Sequence, residues 1–187
     1  DKNFFINKVN SKHTDKNTTS SKFKEDIYRI FNTPNYKNMT ILELGSHHGD
    51  TTRVYAECFD KVIAVDRGEY NIEKIKETCK DISNVEFINA DVYDKNFQLP
   101  NADVVHIDAG HDYDLVKYDI DRCVEQLNNP ILVFDDYGHE GGTVKQAIDD
   151  KLIEGKLNLY TYIGEDKGYV AANNKVFTGR EGVICNV

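Results

Sequence analysis

The chain has 187 residues, of which 40% are apolar and 29% are charged, a composition that suits one globular domain with a two-sided core. Its net charge of −9 disfavours nucleic acid and anionic membranes as its main partners. No apolar run approaches the length of a membrane span, and no signal-peptide pattern stands at the first residues, so we expect a cytoplasmic protein.

The first 20 residues differ in composition from the rest of the chain. Residues 1–24 contain six lysines and two acidic residues, a local excess of about +4, together with many Asn, Ser and Thr residues. This composition predicts a flexible basic arm over residues 1–20 and a single domain over residues 21–187. The alternative is a segment that folds over a substrate.

Helical and strand patterns alternate along the remaining chain. Phe23, Ile27, Ile30 and Phe31 recur at helical spacing, and Pro34 ends that helix. Strands are predicted at 41–44, 62–65, 85–88, 104–107 and 131–134, and helices at 50–59, 72–79, 116–127 and 144–152. Residues 157–163 and 169–177 alternate in polarity and predict an antiparallel hairpin. The predicted fold is therefore α/β, a single Rossmann-like, doubly wound, mostly parallel sheet with a C-terminal antiparallel hairpin.

The four cysteines form no C-x-x-C pair. Their positions are typical of small buried apolar residues in a reducing compartment, and they do not predict a zinc site or a disulfide framework.

The segment that follows the first predicted strand has the character of a nucleotide-binding loop. Gly45 and Gly49 allow a tight turn beside a ligand, and the helix that starts after them supplies backbone donors. Asp66 ends the second strand and can accept the hydroxyls of a ribose. Asp91 follows the third strand, where it or the adjacent backbone can meet an adenine edge.

Two apolar strands end in aspartate. Val104 to Ile107 leads into Asp108, and Ile131 to Phe134 leads into Asp135 and Asp136. The carboxyl ends of parallel strands meet at one edge of a sheet, so these three carboxylates predict a site for a hard divalent cation with oxygen ligands.

Together these motifs resemble a class I S-adenosylmethionine-dependent methyltransferase. The chain has Glu43-x-Gly45-x-x-x-Gly49-x-Thr51, and His47 occupies the position of the middle glycine in the common G-x-G-x-G form. That loop, Asp108-Ala109-Gly110-His111-Asp112-Tyr113 and Asp135-Asp136-Tyr137 are similar to those of the metal-dependent macrocin and aminocoumarin sugar O-methyltransferases. The resemblance covers roughly residues 38–178.

The resemblance implies roles for individual residues. S-adenosylmethionine would be bound by Glu43, Gly45, Ser46, His47, Gly49, Thr51, Thr52, Asp66, Arg67, Asp91, Val92 and Asp108. Mg²⁺ or another divalent cation would be bound by Asp108, Asp135 and Asp136, and would lower the pKa of an acceptor hydroxyl. The catalytic residues would be Asp108, as shared ligand and base, and His111, the alternative base.

The expected function is therefore an O-methyltransferase that acts on a small molecule or glycan with vicinal hydroxyls. The alternatives are a catechol-type O-methyltransferase and an S-adenosylmethionine-binding protein without transferase activity. A nicotinamide oxidoreductase is disfavoured because the chain lacks G-x-G-x-x-G after its first strand. A homodimer that covers the open pocket is compatible with the sequence.

Overall fold

A computed structural model describes residues 19–139, 141, 143–166 and 179–187. The helices are α1 (Ser21–Phe31), α2 (Asp50–Ala56), α3 (Glu69–Thr78), α4 (Tyr113–Gln126) and α5 (Val144–Ile153). The strands are β1 (Thr40–Leu44), β2 (Lys61–Asp66), β3 (Val85–Asn89), β4 (Val104–Ile107), β5 (Ile131–Phe134), β6 (Asn158–Ile163) and β7 (Gly182–Asn186). The predicted helix at 50–59 is shorter than expected, because a turn of the chain replaces its last residues.

The seven strands form one sheet in the order β3-β2-β1-β4-β5-β7-β6. The first five strands in this order pair in parallel, while β7 pairs antiparallel with both β5 and β6. The predicted Rossmann-like fold is confirmed. The strand order reverses between β1 and β4, and such a reversal opens a crevice beyond the carboxyl ends of the two strands.

Both faces of the sheet are covered by helices. Leu42, Leu44, Val105 and Ile107 belong to one apolar cluster with residues of α4 and α5. Ile41, Val62, Val104 and Val133 belong to a second cluster with residues of α1 and α2. Successive strand residues point to opposite faces, so this division follows from the continuous apolar runs in the sequence.

The C-terminal part of the sheet differs from the prediction in its second strand. The predicted partner strand, 169–177, lies outside the described residues. The strand that pairs with β6 in the structure is β7, which the sequence analysis did not assign. Its apolar run is only three residues long, Val183 to Cys185, and is too short to stand out as a pattern.

The start of the domain is fixed by a cap. The side chain of Ser20 accepts a hydrogen bond from the backbone N–H of Phe23 at 3.0 Å, which makes it the N-cap of α1. Ser20 therefore belongs to the folded domain, whereas residues 1–18 of the predicted arm lie outside the described residues.

The four cysteines are free and buried, as predicted. Burial raises the pKa of each thiol to about 12, which makes them poor nucleophiles and poor metal ligands at neutral pH. Within the described part of the chain, no helix has the length and apolar character needed to cross a membrane.

We expect the aromatic packing of α1 to be a main source of stability. Phe31 is fully buried and contacts the rings of Tyr36, Tyr55 and Phe59 at centroid distances of 4.9, 6.4 and 5.3 Å. Phe31→Ala should lower the free energy of unfolding in urea by about 3–5 kcal/mol. Ile153→Ala, at a helical position that is 84% exposed, is the control and should change it by less than about 0.5 kcal/mol. Equal effects of the two substitutions would contradict this role.

Candidate active site

A cleft opens above the carboxyl ends of β1 and β4, at the reversal in strand order. It is partly open to solvent and is lined by Thr19, Gly45, Ser46, His47, His48, Asp50, Thr51 and Asp108. Five of these residues, Gly45, Ser46, His47, Thr51 and Asp108, are among those that the sequence predicts to bind a cofactor. Thr19, His48 and Asp50 were not predicted.

The floor of the cleft depends on Gly45. Its φ angle is +88°, and a Cβ atom on this residue would lie 2.4 Å from the backbone oxygen of Asp108. Only glycine tolerates this approach. The backbone of the loop after β1 therefore lies directly against the end of β4, and Asp108 becomes part of the cleft wall.

Glu43 supports the loop from below. Its side chain is fully buried, and its two carboxylate oxygens accept hydrogen bonds from the hydroxyls of Thr51 and Thr52 in α2. His106 of β4 lies 3.5 Å from the same carboxylate. Glu43 and Thr52 do not line the cleft, so these two predicted cofactor residues hold α2 against β1.

Asp66 holds the other side of the loop. Its carboxylate accepts hydrogen bonds from the backbone N–H of His47 at 2.6 Å, the backbone N–H of Arg67 at 2.8 Å and the side-chain amide of Asn71 at 2.8 Å. His47 itself has a left-handed φ of 45°. Asp66 thus stands beside the cleft, as the sequence predicts, with Asn71 as an unpredicted partner.

The loops after β2 and β3 carry the remaining predicted cofactor residues. Arg67 lies 3.5 Å from the carboxylate of Asp91, and both side chains are largely exposed. Val92 is buried, and its backbone oxygen accepts a hydrogen bond from Arg122 at 2.7 Å. Arg67, Asp91 and Val92 do not line the cleft, but they lie at the ends of the strands next to it.

Arg122 belongs to a buried polar network that the sequence analysis missed. It donates to Asp119 at 2.6 Å, and the Tyr93 hydroxyl donates to the same carboxylate at 2.9 Å. Burial raises the pKa of Asp119, while the bonds from Arg122 and Tyr93 oppose that rise. The spacing of Asp119 and Arg122 is the only sequence signal for this pair.

A second group of polar side chains meets at the ends of β4 and β5. The Nε2 atom of His111 lies 3.0 Å from a carboxylate oxygen of Asp108 and 3.4 Å from a carboxylate oxygen of Asp136. One ligand atom from each residue lies within 4.8 Å of the others, a separation that could hold a metal ion. Below we call Asp108, His111 and Asp136 the Asp–His–Asp cluster.

Asp135 does not belong to this cluster, and its role as a metal ligand stays a prediction. Adjacent residues at a strand end point to opposite sides, and Asp136 turns further because its φ is +53°. Asp135 is buried, and one of its carboxylate oxygens has no hydrogen-bond partner among the described residues. The pKa of Asp135 is raised well above its ordinary value. Burial is the largest cause, and the negative charges of Asp108 and Asp136 raise the pKa further.

A buried lysine interacts with the buried acids near the site. Lys24 is 2% exposed and donates to the backbone oxygen of Thr19 at 3.0 Å. Burial lowers the pKa of Lys24, while the charges of Asp50, Glu181 and Asp135 oppose that effect. The sequence feature that could have predicted the burial of Lys24 is its position between Phe23 and Ile27 on the apolar side of α1.

The comparison with protein families decides the class of the chain. The sequence profile of a family described as a methyltransferase domain matches residues 42–137, which is half of the chain. The chain belongs to this family of methyltransferases. The matched range includes Gly45, Asp66, Asp91 and all three residues of the Asp–His–Asp cluster. A search of curated proteins finds no match.

Solved structures confirm the fold of this methyltransferase. An O-methyltransferase from Bacillus cereus in complex with SAH has a TM-score of 0.67 at 13% identity, over 100% of this chain and 89% of that one. A SAM-dependent O-methyltransferase from Thermotoga maritima has a TM-score of 0.69 at 16% identity, over 97% and 70%. A ribosomal protein L11 methylase from Lactobacillus delbrueckii subsp. bulgaricus has a TM-score of 0.56 at 14% identity, over 80% and 70%. Two of these neighbours are described as O-methyltransferases and the third as a methylase of a ribosomal protein, so the shared fold does not identify the acceptor.

The support that Glu43 gives to the loop can be tested in this methyltransferase. Thr52 is fully buried and donates its hydroxyl to the Glu43 carboxylate. Thr52→Val keeps the shape of the side chain but removes the donor, and should lower the free energy of unfolding in urea by about 1–3 kcal/mol. Thr52→Ser keeps the donor and should lose about 1 kcal/mol for the missing methyl group. A valine variant as stable as the wild type would contradict the role of this hydrogen bond.

Proposed function

We propose that the methyltransferase transfers the methyl group of S-adenosylmethionine to a hydroxyl oxygen of a small molecule or sugar that carries vicinal oxygens, with the help of a divalent cation. One observation carries the proposal: Asp108 lines the cleft and also belongs to the Asp–His–Asp cluster. A methyl donor in the cleft and an acceptor at the cluster would therefore stand on either side of one carboxylate. The proposed acceptor class follows the macrocin and aminocoumarin sugar O-methyltransferases, which the chain resembles.

The residues around the cleft fit the donor. Gly45, Ser46 and His47 bring backbone close to a ligand, and Asp66 stands beside them at the end of β2. S-adenosylmethionine supplies an electrophilic methyl group on a sulfonium. Its ribose would bind at Asp66, whose carboxylate uses three of about four acceptor positions on His47, Arg67 and Asn71. One acceptor position remains for a ribose hydroxyl, and a second hydroxyl would have to share an acceptor position or displace the Asn71 amide.

The Asp–His–Asp cluster fits the cation. Two carboxylates and an imidazole converge at the sheet edge, and carboxylate oxygen and imidazole nitrogen are ordinary ligands of divalent ions. A bound cation supplies Lewis acidity that makes an acceptor hydroxyl easier to deprotonate. Asp108 is placed to accept that proton, and Asp136 is held by the turn after β5 so that it faces Asp108.

Alignment is the main task of the remaining residues. Glu43, Thr51 and Thr52 hold the loop rigid beneath the donor, and the Gly45 backbone keeps it against the end of β4. A rigid loop of this kind would lower the entropic cost of aligning the methyl donor with the acceptor. The acidic net charge of −9 supports a neutral acceptor rather than nucleic acid. Cytoplasmic location and formation of a homodimer stay predictions.

The donor half of the proposal is tested by calorimetry with S-adenosylmethionine. Asp66→Ala removes the charged acceptor and should raise the Kd by about 10- to 150-fold, because a hydrogen bond to a charged group contributes about 1.5–3 kcal/mol. Asp60→Ala, at an exposed position beyond the cleft, should leave the Kd unchanged. Absence of binding by the wild type would overturn the proposed donor.

The acceptor half is tested by methyl transfer to panels of sugars and catechols. Treatment with a chelator should abolish transfer, and a divalent cation should restore it. Asp136→Asn should lower kcat/KM by about 100-fold or more, since the cation loses a charged ligand, and should bind S-adenosylmethionine like the wild type because Asp136 does not line the cleft. Full transfer in the presence of chelator would contradict the role of the cation, and a preference for catechols would assign the catechol-type alternative.

A further inference from the structure

The Asp–His–Asp cluster contains a nitrogen donor where the sequence predicted only oxygen donors. We propose that His111 is a direct metal ligand through Nε2, and that the cluster therefore selects a first-row transition ion over Mg²⁺. This inference rests on the proposed function, because it names the ion of that same site. The observation behind it is the position of His111 between Asp108 and Asp136, in the place that Asp135 was expected to take.

The distances fit adjacent ligands of one ion. In an octahedral site with metal–ligand distances of about 2.1 Å, neighbouring donors lie about 3.0 Å apart. The Nε2 atom of His111 is hydrogen-bonded to Asp108 at 3.0 Å and lies 3.4 Å from Asp136, so the same spacing serves a hydrogen bond without metal and adjacent ligands with metal. An ion can thus be bound by all three with small side-chain shifts, and the positions that remain are open to the two oxygens of an acceptor.

The charge around the cluster also calls for a cation. Asp136 is buried, Asp108 is three-quarters buried, and both carboxylates converge on the His111 imidazole. Two carboxylates this close repel one another unless positive charge is placed between them. A divalent ion at the cluster provides that charge.

The backbone holds His111 in place for this role. Its carbonyl oxygen accepts a hydrogen bond from the hydroxyl of Thr143, at 3.1 Å, just before α5. His111 also follows closely on the end of β4, which is fixed to β1 by the bond from Asp108 N–H to Leu44 at 2.9 Å. A ligand anchored on both sides loses little freedom on binding.

The chemical type of the ligand atoms then determines which metal ion is preferred. Imidazole nitrogen suits Zn²⁺, Fe²⁺, Co²⁺ and Ni²⁺, whereas Mg²⁺ prefers oxygen donors and gives up its water reluctantly. A mixed site of one imidazole and two carboxylates should bind Co²⁺ more tightly than Mn²⁺, and both more tightly than Mg²⁺. His111 in this role is occupied by the metal and is not the base for the acceptor hydroxyl.

The test is metal binding by the full chain, tag-free and stripped of metal, in a buffer without nitrogen ligands. Titration calorimetry gives the affinities for Co²⁺, Mn²⁺ and Mg²⁺, and pulsed electron paramagnetic resonance of bound Mn²⁺ detects a coordinated nitrogen. The wild type should prefer Co²⁺ to Mg²⁺ by about tenfold or more and should show nitrogen modulation. His111→Ala should lose the modulation and most of this preference.

Two controls separate the possible outcomes. His139→Ala removes a nearby imidazole that is outside the cluster and should keep both the modulation and the preference. Calorimetry with S-adenosylmethionine shows that His111→Ala is folded, since His111 does not line the cleft. Modulation that persists in His111→Ala, or equal affinity of the wild type for Mg²⁺ and Co²⁺, would overturn the inference alone. A wild type that binds none of the ions would overturn the role of the cation in the proposed function as well.

Discussion

The contact between the Gly45 backbone and the end of β4 is the constraint on which the site depends. A Cβ atom at Gly45 would lie 2.4 Å from the Asp108 backbone oxygen, so the loop after β1 can reach β4 only without a side chain. The buried Glu43 carboxylate and the Asp66 carboxylate hold this loop from below and from the side. These bonds give the cleft and the Asp–His–Asp cluster a common wall in Asp108.

The two aspartates after β5 have different surroundings because adjacent residues at the end of a strand point to opposite sides of the sheet. Asp136 turns towards Asp108 and His111. Asp135 is buried, and one of its oxygens has no hydrogen-bond partner among the described residues. A buried carboxylate is costly, and the buried Lys24 of α1, whose pKa is held up in part by Asp50, Glu181 and Asp135, offsets part of that cost.

The strands and their carboxyl ends could be predicted because buried parallel strands are continuous apolar runs, and β4 and β5 have the predicted bounds. The edge at which Gly45, Asp66, Asp91 and Asp108 meet followed from the parallel order. The partners of each side chain could not be predicted in the same way. Asp136 turns towards His111 with a φ of +53°, a backbone angle that the two-residue motif does not encode. For β7, three apolar residues gave no pattern to recognise.

The distribution of charge at this edge also bears on the acceptor. Asp66, Asp91, Asp108 and Asp136 all follow strands of the same parallel sheet, and the whole chain carries a net charge of −9. Such an edge attracts cations and repels anions over several ångströms. A sulfonium donor and a divalent ion are both favoured there, whereas a phosphorylated acceptor would approach against the field. Neutral vicinal hydroxyls meet no such barrier, and their two oxygens would match open positions beside the proposed cation at the Asp–His–Asp cluster.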